Sequence, residues 1–403
     1  MRLAQPLTLP CGVTVPNRLL KSAMSEALGT PVHAPSERLP VLYRRWSHGG
    51  VGVSVTGNVM VDGGALGEPG NVVLEDDRHL DGFRAWAAAG TEAGGQLWMQ
   101  LNHPGKQAPR FLNQETVAPS AVGFGKALSS AFPVPRALED EEIQALIARY
   151  GRSAGLAVEA GFTGVQIHGA HGYLVSQFLS PRHNVRTDRW GGSLENRARF
   201  VLEVYRAMRS AVGPDVPVGI KMNSADFQRG GFDEDDSLRV MTWLQEEGID
   251  LIEVSGGTYE APAMTGVKQS TREREGYFLD FVTQAKETLT VPLCVTGGFR
   301  TPAGMERALE EGASMVGLAR ALCVQPDLPN DVLAGKEVVS KVRRLSMGMK
   351  ALDRTVPLDV LWYEVQLDRM GRGLDPDPEL GEWRSLFSVL RHAGLQSFRM
   401  RRA

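Results

Sequence analysis

Cysteine is scarce in this 403-residue chain: Cys11, Cys294 and Cys323 are present, with no CxxC pair. That excludes a disulfide framework and a cysteine-ligated iron–sulfur cluster, and it fits a reducing cytoplasm. Long apolar runs are missing too. No window stays apolar for the length a bilayer demands, and Met1 to Pro10 lacks the charged-then-apolar pattern of an export signal. The protein is therefore expected to be soluble, cytoplasmic and without a membrane partner. Net charge is only −3, so no excess of one sign draws the molecule to nucleic acid. The remaining composition, 42% hydrophobic and 23% charged, is that of a globular protein with a core large enough for one barrel or two ordinary domains.

Short β-branched or apolar runs occur at Arg18–Ser25, Val51–Val61, Gln96–Leu101, Gly164–His168, Val218–Asn223, Leu251–Gly256, Leu293–Gly298 and Ser314–Arg320. Helical spacing fills the gaps: Ile143, Leu146, Ile147, Tyr150 and Ala154 make one apolar stripe, as do Phe200, Val204, Ala207 and Met208, and Leu238, Met241 and Leu244. Eight strands alternating with helices predict a (β/α)8 barrel rather than an open doubly wound sheet. Leu7–Val15 reads as an N-terminal hairpin able to plug the barrel. Residues 102–137 and 257–275 read as long loops on the C-terminal face, where barrels build substrate pockets. Residues 1–340 are expected to form the catalytic barrel. Residues 341–403 are expected to form a helical extension, broken at Pro376 and Pro378, that packs on the barrel or on a neighbouring subunit of a homo-oligomer. Arg399, Arg401 and Arg402 read as a solvated basic tail.

Strand seven ends in Thr296-Gly297-Gly298, followed by Thr301 as N-cap and Pro302 at the first helical position. Strand eight ends in Gly317-Leu318-Ala319-Arg320. Glycine backbone, a helix N-terminus and a guanidinium at these two strands predict a phosphate site. Off strand four runs His168-Gly169-Ala170-His171-Gly172-Tyr173-Leu174. Imidazole N–H groups there can hold charge developing on a carbonyl or nitro oxygen, and the Tyr173 phenol can supply a proton. Zinc is disfavoured because carboxylate and thiolate ligands are missing from the motif, so no metal is expected.

The same motif, with Gly161-Phe162-Thr163-Gly164-Val165 before it and Phe178-Leu179-Ser180-Pro181, Asn184, Arg186, Asp188, Gly191-Gly192-Ser193 and Glu195-Asn196-Arg197 after it, resembles the old yellow enzyme family of FMN-dependent ene-reductases. The resemblance spans about residues 1–340. It implies non-covalently bound FMN across the barrel mouth, with its phosphate at Gly297, Gly298, Ala319 and Arg320. It places Ser22, Ala23, Met24 and Ser25 beside the flavin ring, Ser25 standing where relatives have Thr or Cys, and it gives Gly57 and Gln100 to the ring edge. Lys221 stands where well-known members have arginine; a cation there stabilises the reduced flavin without the guanidinium fork. Asn102, His168 and His171 are assigned to the substrate and Tyr173 to protonation of its α-carbon. Further departures are Ala23 for a common proline, Ala27 where one subgroup has an aromatic, Trp190 for tyrosine and Ala319 for glycine. The implied reaction takes hydride from NADPH or NADH and delivers it to the β-carbon of an activated alkene such as an enone, enal, maleimide or nitroalkene.

Two alternatives stay open at this stage. One is a non-redox barrel acting on a phosphorylated substrate, with Lys221 as a Schiff-base candidate. The other is a flavin-binding protein without ene-reductase turnover.

Overall fold

The computed structural model describes residues 1–126, 128–261, 275–343, 345–346 and 358–385. Among them eight parallel strands close on themselves: β1 (Leu19–Lys21), β2 (Val53–Val55), β3 (Gln96–Asn102), β4 (Gly164–Gly169), β5 (Val218–Asn223), β6 (Leu251–Ser255), β7 (Leu293–Thr296) and β8 (Met315–Leu318). Closure is made where β8 pairs with β1, Leu318 opposite Lys21. The (β/α)8 expectation holds. β1, β2, β6, β7 and β8 are shorter than their apolar runs, and the second run breaks after Val55, where Gly57 turns the chain before Val59–Met60 pairs separately with β3.

Helices wrap the barrel: α1 (Arg38–His48), α2 (Leu80–Thr91), α3 (Asp140–Glu159), α4 (Leu174–Leu179), α5 (Leu194–Val212), α6 (Glu234–Glu246), α7 (Leu279–Ala285), α8 (Pro302–Glu310), α9 (Arg320–Val324) and α10 (Leu328–Leu333). The expected stripe of α3 is buried throughout, from Ile143 to Ala154. On α5, Phe200, Val204 and Met208 are buried while Ala207 is only partly so. The capping box of Glu139 and Glu142 starts α3 by satisfying donors that have no partner within the helix.

The barrel interior divides into two layers. At the bottom, Leu20, Val53, Val55, Trp98, Leu251, Cys294 and Met315 form an apolar cluster with Leu9 and Val15 of the hairpin Leu7–Thr8/Thr14–Val15. The Trp98 indole fits because its neighbours are glycines: a Cβ on Gly164 would lie 2.6 Å from it. Asp250, just before β6, ties the hairpin down by accepting from the Cys11 backbone N–H at 2.8 Å. The hairpin thus plugs the N-terminal end, and the upper layer, which is polar, opens at the other end.

Residues 102–126 and 128–137 carry one 3-10 turn and the two-residue strand pair Val117–Ala118/Arg136–Ala137, matching the expected long loop. Of the loop after β6, residues 262–274 lie outside the described residues, as do Arg399, Arg401 and Arg402. The tail contributes α11 (Leu358–Gly371), which packs on α1 and α9 of its own chain and is pinned by an ion pair between Arg38 and Asp368. It ends before Pro376, as expected.

Candidate active site

The upper layer follows from strand register. In a parallel sheet, residues directly paired on neighbouring strands point to the same side. His168, Lys221 and Glu253 pair in succession across β4, β5 and β6, and Gln100 pairs with Gln166 across β3 and β4. One connected row of buried polar groups results. Gln100 Nε2 donates to Gln166 Oε1 at 2.7 Å, and Gln166 Nε2 donates to Glu253 Oε2 at 2.9 Å. Glu253 Oε1 accepts from Ser22 Oγ at 2.7 Å and lies 3.0 Å from Lys221 Nζ. Ser22 Oγ in turn lies 3.1 Å from Thr296 Oγ1, the residue before Gly297. Ser22, just past β1, and side chains of β3, β4, β5, β6 and β7 therefore meet in one layer.

Above that row the strand-four residues converge. The His168 and His171 rings lie 5.3 Å apart, centroid to centroid, and the His168 and Tyr173 rings 4.7 Å apart. His171 holds a left-handed backbone, φ +62°, rare for a residue with a side chain and typical of strain kept at functional sites. Its backbone N–H donates to Asn223 Oδ1 at 3.2 Å, and its Nε2 is 2.8 Å from Ser255 Oγ. Burial, with the charge of Lys221 second, pushes His171 down to about 3. Burial, then His171 and Lys221, holds His168 well below the ordinary imidazole value. Both rings are neutral at physiological pH. Burial also pushes the Tyr173 phenol well above its ordinary value, so it keeps its proton.

Three groups escaped the sequence reading. Tyr259, on the loop leaving β6, brings its hydroxyl to 2.9 Å from that of Tyr173. Its position in Gly256-Gly257-Thr258-Tyr259 at a barrel strand's exit was the available signal. Glu253 gives Lys221 an ion-pair partner within the barrel, so the lysine's charge is balanced before any ligand enters. Glu275 corrects the helix N-terminus reading. Thr301 does cap α8, accepting from Gly304 N–H at 3.1 Å, but the Glu275 carboxylate already accepts from Thr301 Oγ1 at 3.0 Å and Thr301 N–H at 3.3 Å. A carboxylate fills the anion position at that helix end.

Gly297 and Gly298 follow β7 directly, and Ala319 and Arg320 follow β8. Gly297 and Gly298 have φ of +111° and +78°, and a Cβ on Gly298 would lie 2.1 Å from the Tyr277 ring. Arg320 opens α9 directly after Ala319 and makes no ion pair among the described residues. On the strand-one side, the Gly57 backbone N–H donates to Glu26 at 3.2 Å, beside the buried Lys21–Glu26 pair. Ser25 Oγ lies 2.6 Å from both Glu68 and Glu364. Met24 meets Cys323 through sulfur at 3.4 Å, and Ala23 packs on the barrel's lower cluster. Asn102 is fully buried on β3, and its Oδ1 finds no hydrogen-bond partner among the described residues.

Residues 2–338 match the model of a family described as NADH:flavin oxidoreductase / NADH oxidase. An NADH-dependent flavin oxidoreductase of Hypocrea jecorina is 39% identical over 361 residues, covering 83% of this chain and 89% of its own length. Another, of Talaromyces variabilis, is 37% identical over 363 residues, covering 84% and 88%. Among solved structures, a complex of 2-naphthoyl-CoA reductase with 2-naphthoyl-CoA superposes with a TM-score of 0.78 at 26% identity, covering 84% of this chain and 54% of that one. Morphinone reductase superposes at 0.70 with 25% identity, covering 84% and 91%.

Proposed function

Because the chain belongs to the NADH:flavin oxidoreductase / NADH oxidase family, the old yellow enzyme family, we propose that this FMN-dependent oxidoreductase reduces electron-poor carbon–carbon double bonds. Its reductant is a reduced nicotinamide, and we read the substrates as enones, enals, maleimides or nitroalkenes. The observation that carries the reading is the convergence of His168, His171 and Tyr173 above a buried polar row that runs from β3 to β7.

The residues suit FMN. Gly297 and Gly298 turn the chain at φ +111° and +78° after β7, with the Tyr277 ring packed where a Cβ would stand, and Arg320 after β8 lacks an anionic partner among the described residues. Gly297, Gly298, Ala319 and Arg320 would hold the phosphate, without help from the α8 N-terminus, where Glu275 sits. Gln100 and Lys221, with Ser22, Ala23, Met24, Ser25 and Gly57, would line the ring. FMN held there would supply the hydride-transfer chemistry between reduced nicotinamide and the alkene.

The chain's own part is orientation and charge. Neutral His168 and His171 donate N–H groups to the substrate's carbonyl or nitro oxygen and hold the charge that gathers there. The Asn102 amide oxygen, without a hydrogen-bond partner among the described residues, offers the substrate an acceptor. Tyr173 gives its proton to the α-carbon, and the Tyr259 hydroxyl at 2.9 Å leads replacement protons in from the surface, where Tyr259 is exposed. Residues 1–340 make up this catalytic unit and residues 341–403 the extension.

A steady-state screen of NADH and NADPH against 2-cyclohexenone, cinnamaldehyde, N-phenylmaleimide and nitrostyrene tests the reading. Turnover of several of these is expected. Flavin reduction by nicotinamide without consumption of any alkene would refute it.

A further inference from the structure

The arrangement around Ser25 is not needed for the hydride and proton steps above. Ser25 leaves β1, Glu68 lies on the loop after β2, and Glu364 reaches in from α11, beyond the residues that match the family model. The Ser25 hydroxyl lies 2.6 Å from Glu68 Oε2 and 2.6 Å from Glu364 Oε1. A hydroxyl has one hydrogen to donate, whereas an ionised carboxylate can only accept. Two such short contacts need a second hydrogen, so one carboxyl must carry a proton and donate it to Ser25 Oγ. Asn71 Nδ2 completes the group, donating to Glu68 Oε1 at 3.3 Å.

We infer that Glu364 is a positioning residue acting through Ser25: with Glu68 it holds one proton on the serine hydroxyl, setting both the direction of that hydroxyl and the charge beside the flavin. The inference rests on the proposed place of Ser25 at the ring. With the proton held, the pair carries one negative charge and Ser25 is fixed between two partners. With it lost, two negative charges stand beside the ring, and electron uptake becomes harder.

The surroundings favour holding it. By accessible area both glutamate side chains are only half-buried, but their carboxyls sit deep among protein atoms, and that depth governs their ionisation. Burial, then the charge of Glu26, pushes Glu68 up to about 7. Burial, then the charge of Glu68, pushes Glu364 up to about 8. Among the described residues, the other ionisable groups that interact with the pair are Glu26, ion-paired with Lys21, and the phenols of Tyr173 and Tyr259. On the flank of α11, Arg38 of α1 is occupied by Asp368. Among the described residues no cation is ion-paired with Glu68 or Glu364.

The test follows the flavin midpoint potential of the FMN-loaded protein by spectroelectrochemistry from pH 6 to pH 9.5. The wild type should show an extra downward bend where the shared proton is lost. In Glu364→Gln the bend should disappear, in Ser25→Ala it should move to higher pH because the hydrogen bond from Ser25 is lost, and Glu364→Asp should restore it at a shifted pH. In the flavin-free protein, infrared difference spectra between the two pH limits should show a protonated-carboxyl band that Glu364→Gln removes. Parallel potential curves for wild type and both variants, or no such band, would overturn the inference while leaving alkene turnover standing. Absence of alkene turnover with the band and bend intact would sink the proposed reaction instead. If Glu364→Gln does not fold, Ser25→Ala and the wild-type infrared titration decide the matter.

Discussion

Lys221 Nζ lies 3.0 Å from Glu253 Oε1, and both side chains are buried inside the barrel. The ion pair sits where register places a β5 residue opposite its β6 neighbour. Lys221→Met would leave Glu253 ionised in a low-dielectric interior, supported only by Ser22 and Gln166. A loss of about 3–5 kcal/mol is expected, the range for breaking a buried pair by removing one partner. Glu253→Gln leaves the lysine's charge buried without its partner, so it should cost a similar amount of stability, and the freed charge should raise the flavin potential. Denaturant melts and redox titration of both variants check this.

Tyr173→Phe should slow alkene reduction by about a hundredfold or more, the range for a positioned general acid. Flavin reduction by nicotinamide should change little, because that half-reaction needs no proton on carbon. Tyr259→Phe should slow alkene reduction less, since the Tyr173 hydroxyl survives. Rapid-mixing measurements of the two half-reactions separate these effects. Equal losses in both half-reactions would contradict the assignment.

Both imidazoles are already neutral, so their protonation should not govern ligand binding near neutrality. The affinity for 4-hydroxybenzaldehyde, between pH 5 and pH 9, should follow only the ligand's own ionisation. A break near the ordinary histidine value of 6.5 would count against buried neutral rings. Stability carries the same sign. The contribution of neutral His171 is complete above 6.5 and is lost as the pH falls toward about 3, because the unfolded chain takes up the proton first. Replacing both His168 and His171 with Ala should weaken the phenol about tenfold or more.

Gly298→Ala meets two obstacles, a φ of +78° and the Tyr277 ring 2.1 Å from the new Cβ. Gly213→Ala, with φ +83° and open space around it, meets only the first. Both variants should lose about 1–3 kcal/mol of stability from backbone strain. Only Gly298→Ala should also lose FMN affinity, read by fluorescence titration of the flavin.

The contrast between near and far pairs explains what the sequence could convey. His168, His171 and Tyr173 fall within six consecutive residues, so their association needed only a strand that stops at Gly169. Thr301 and Pro302 announced α8, and the stripe from Ile143 to Ala154 announced the face of α3. Lys221 and Glu253 are 32 residues apart, and their pairing depends on register between β5 and β6, which hydrophobic period does not encode. Tyr259 lies 86 residues beyond Tyr173, and Glu364 lies 339 residues beyond Ser25. Those contacts exist only because the barrel closes and α11 folds back on α1. Glu275 was hidden for the same reason: a helix N-terminus reads as a vacant anion site until the fold brings a carboxylate to it.

The most direct test of the whole account is an anaerobic double-mixing experiment. The FMN-loaded protein is reduced with one equivalent of NADH, then mixed with 2-cyclohexenone, and the flavin absorbance is followed. The account expects prompt reoxidation of the flavin with formation of cyclohexanone in equal amount, and slow reoxidation in Tyr173→Phe. A flavin that stays reduced with cyclohexenone and each of the other activated alkenes, yet is reoxidised by oxygen, would contradict it.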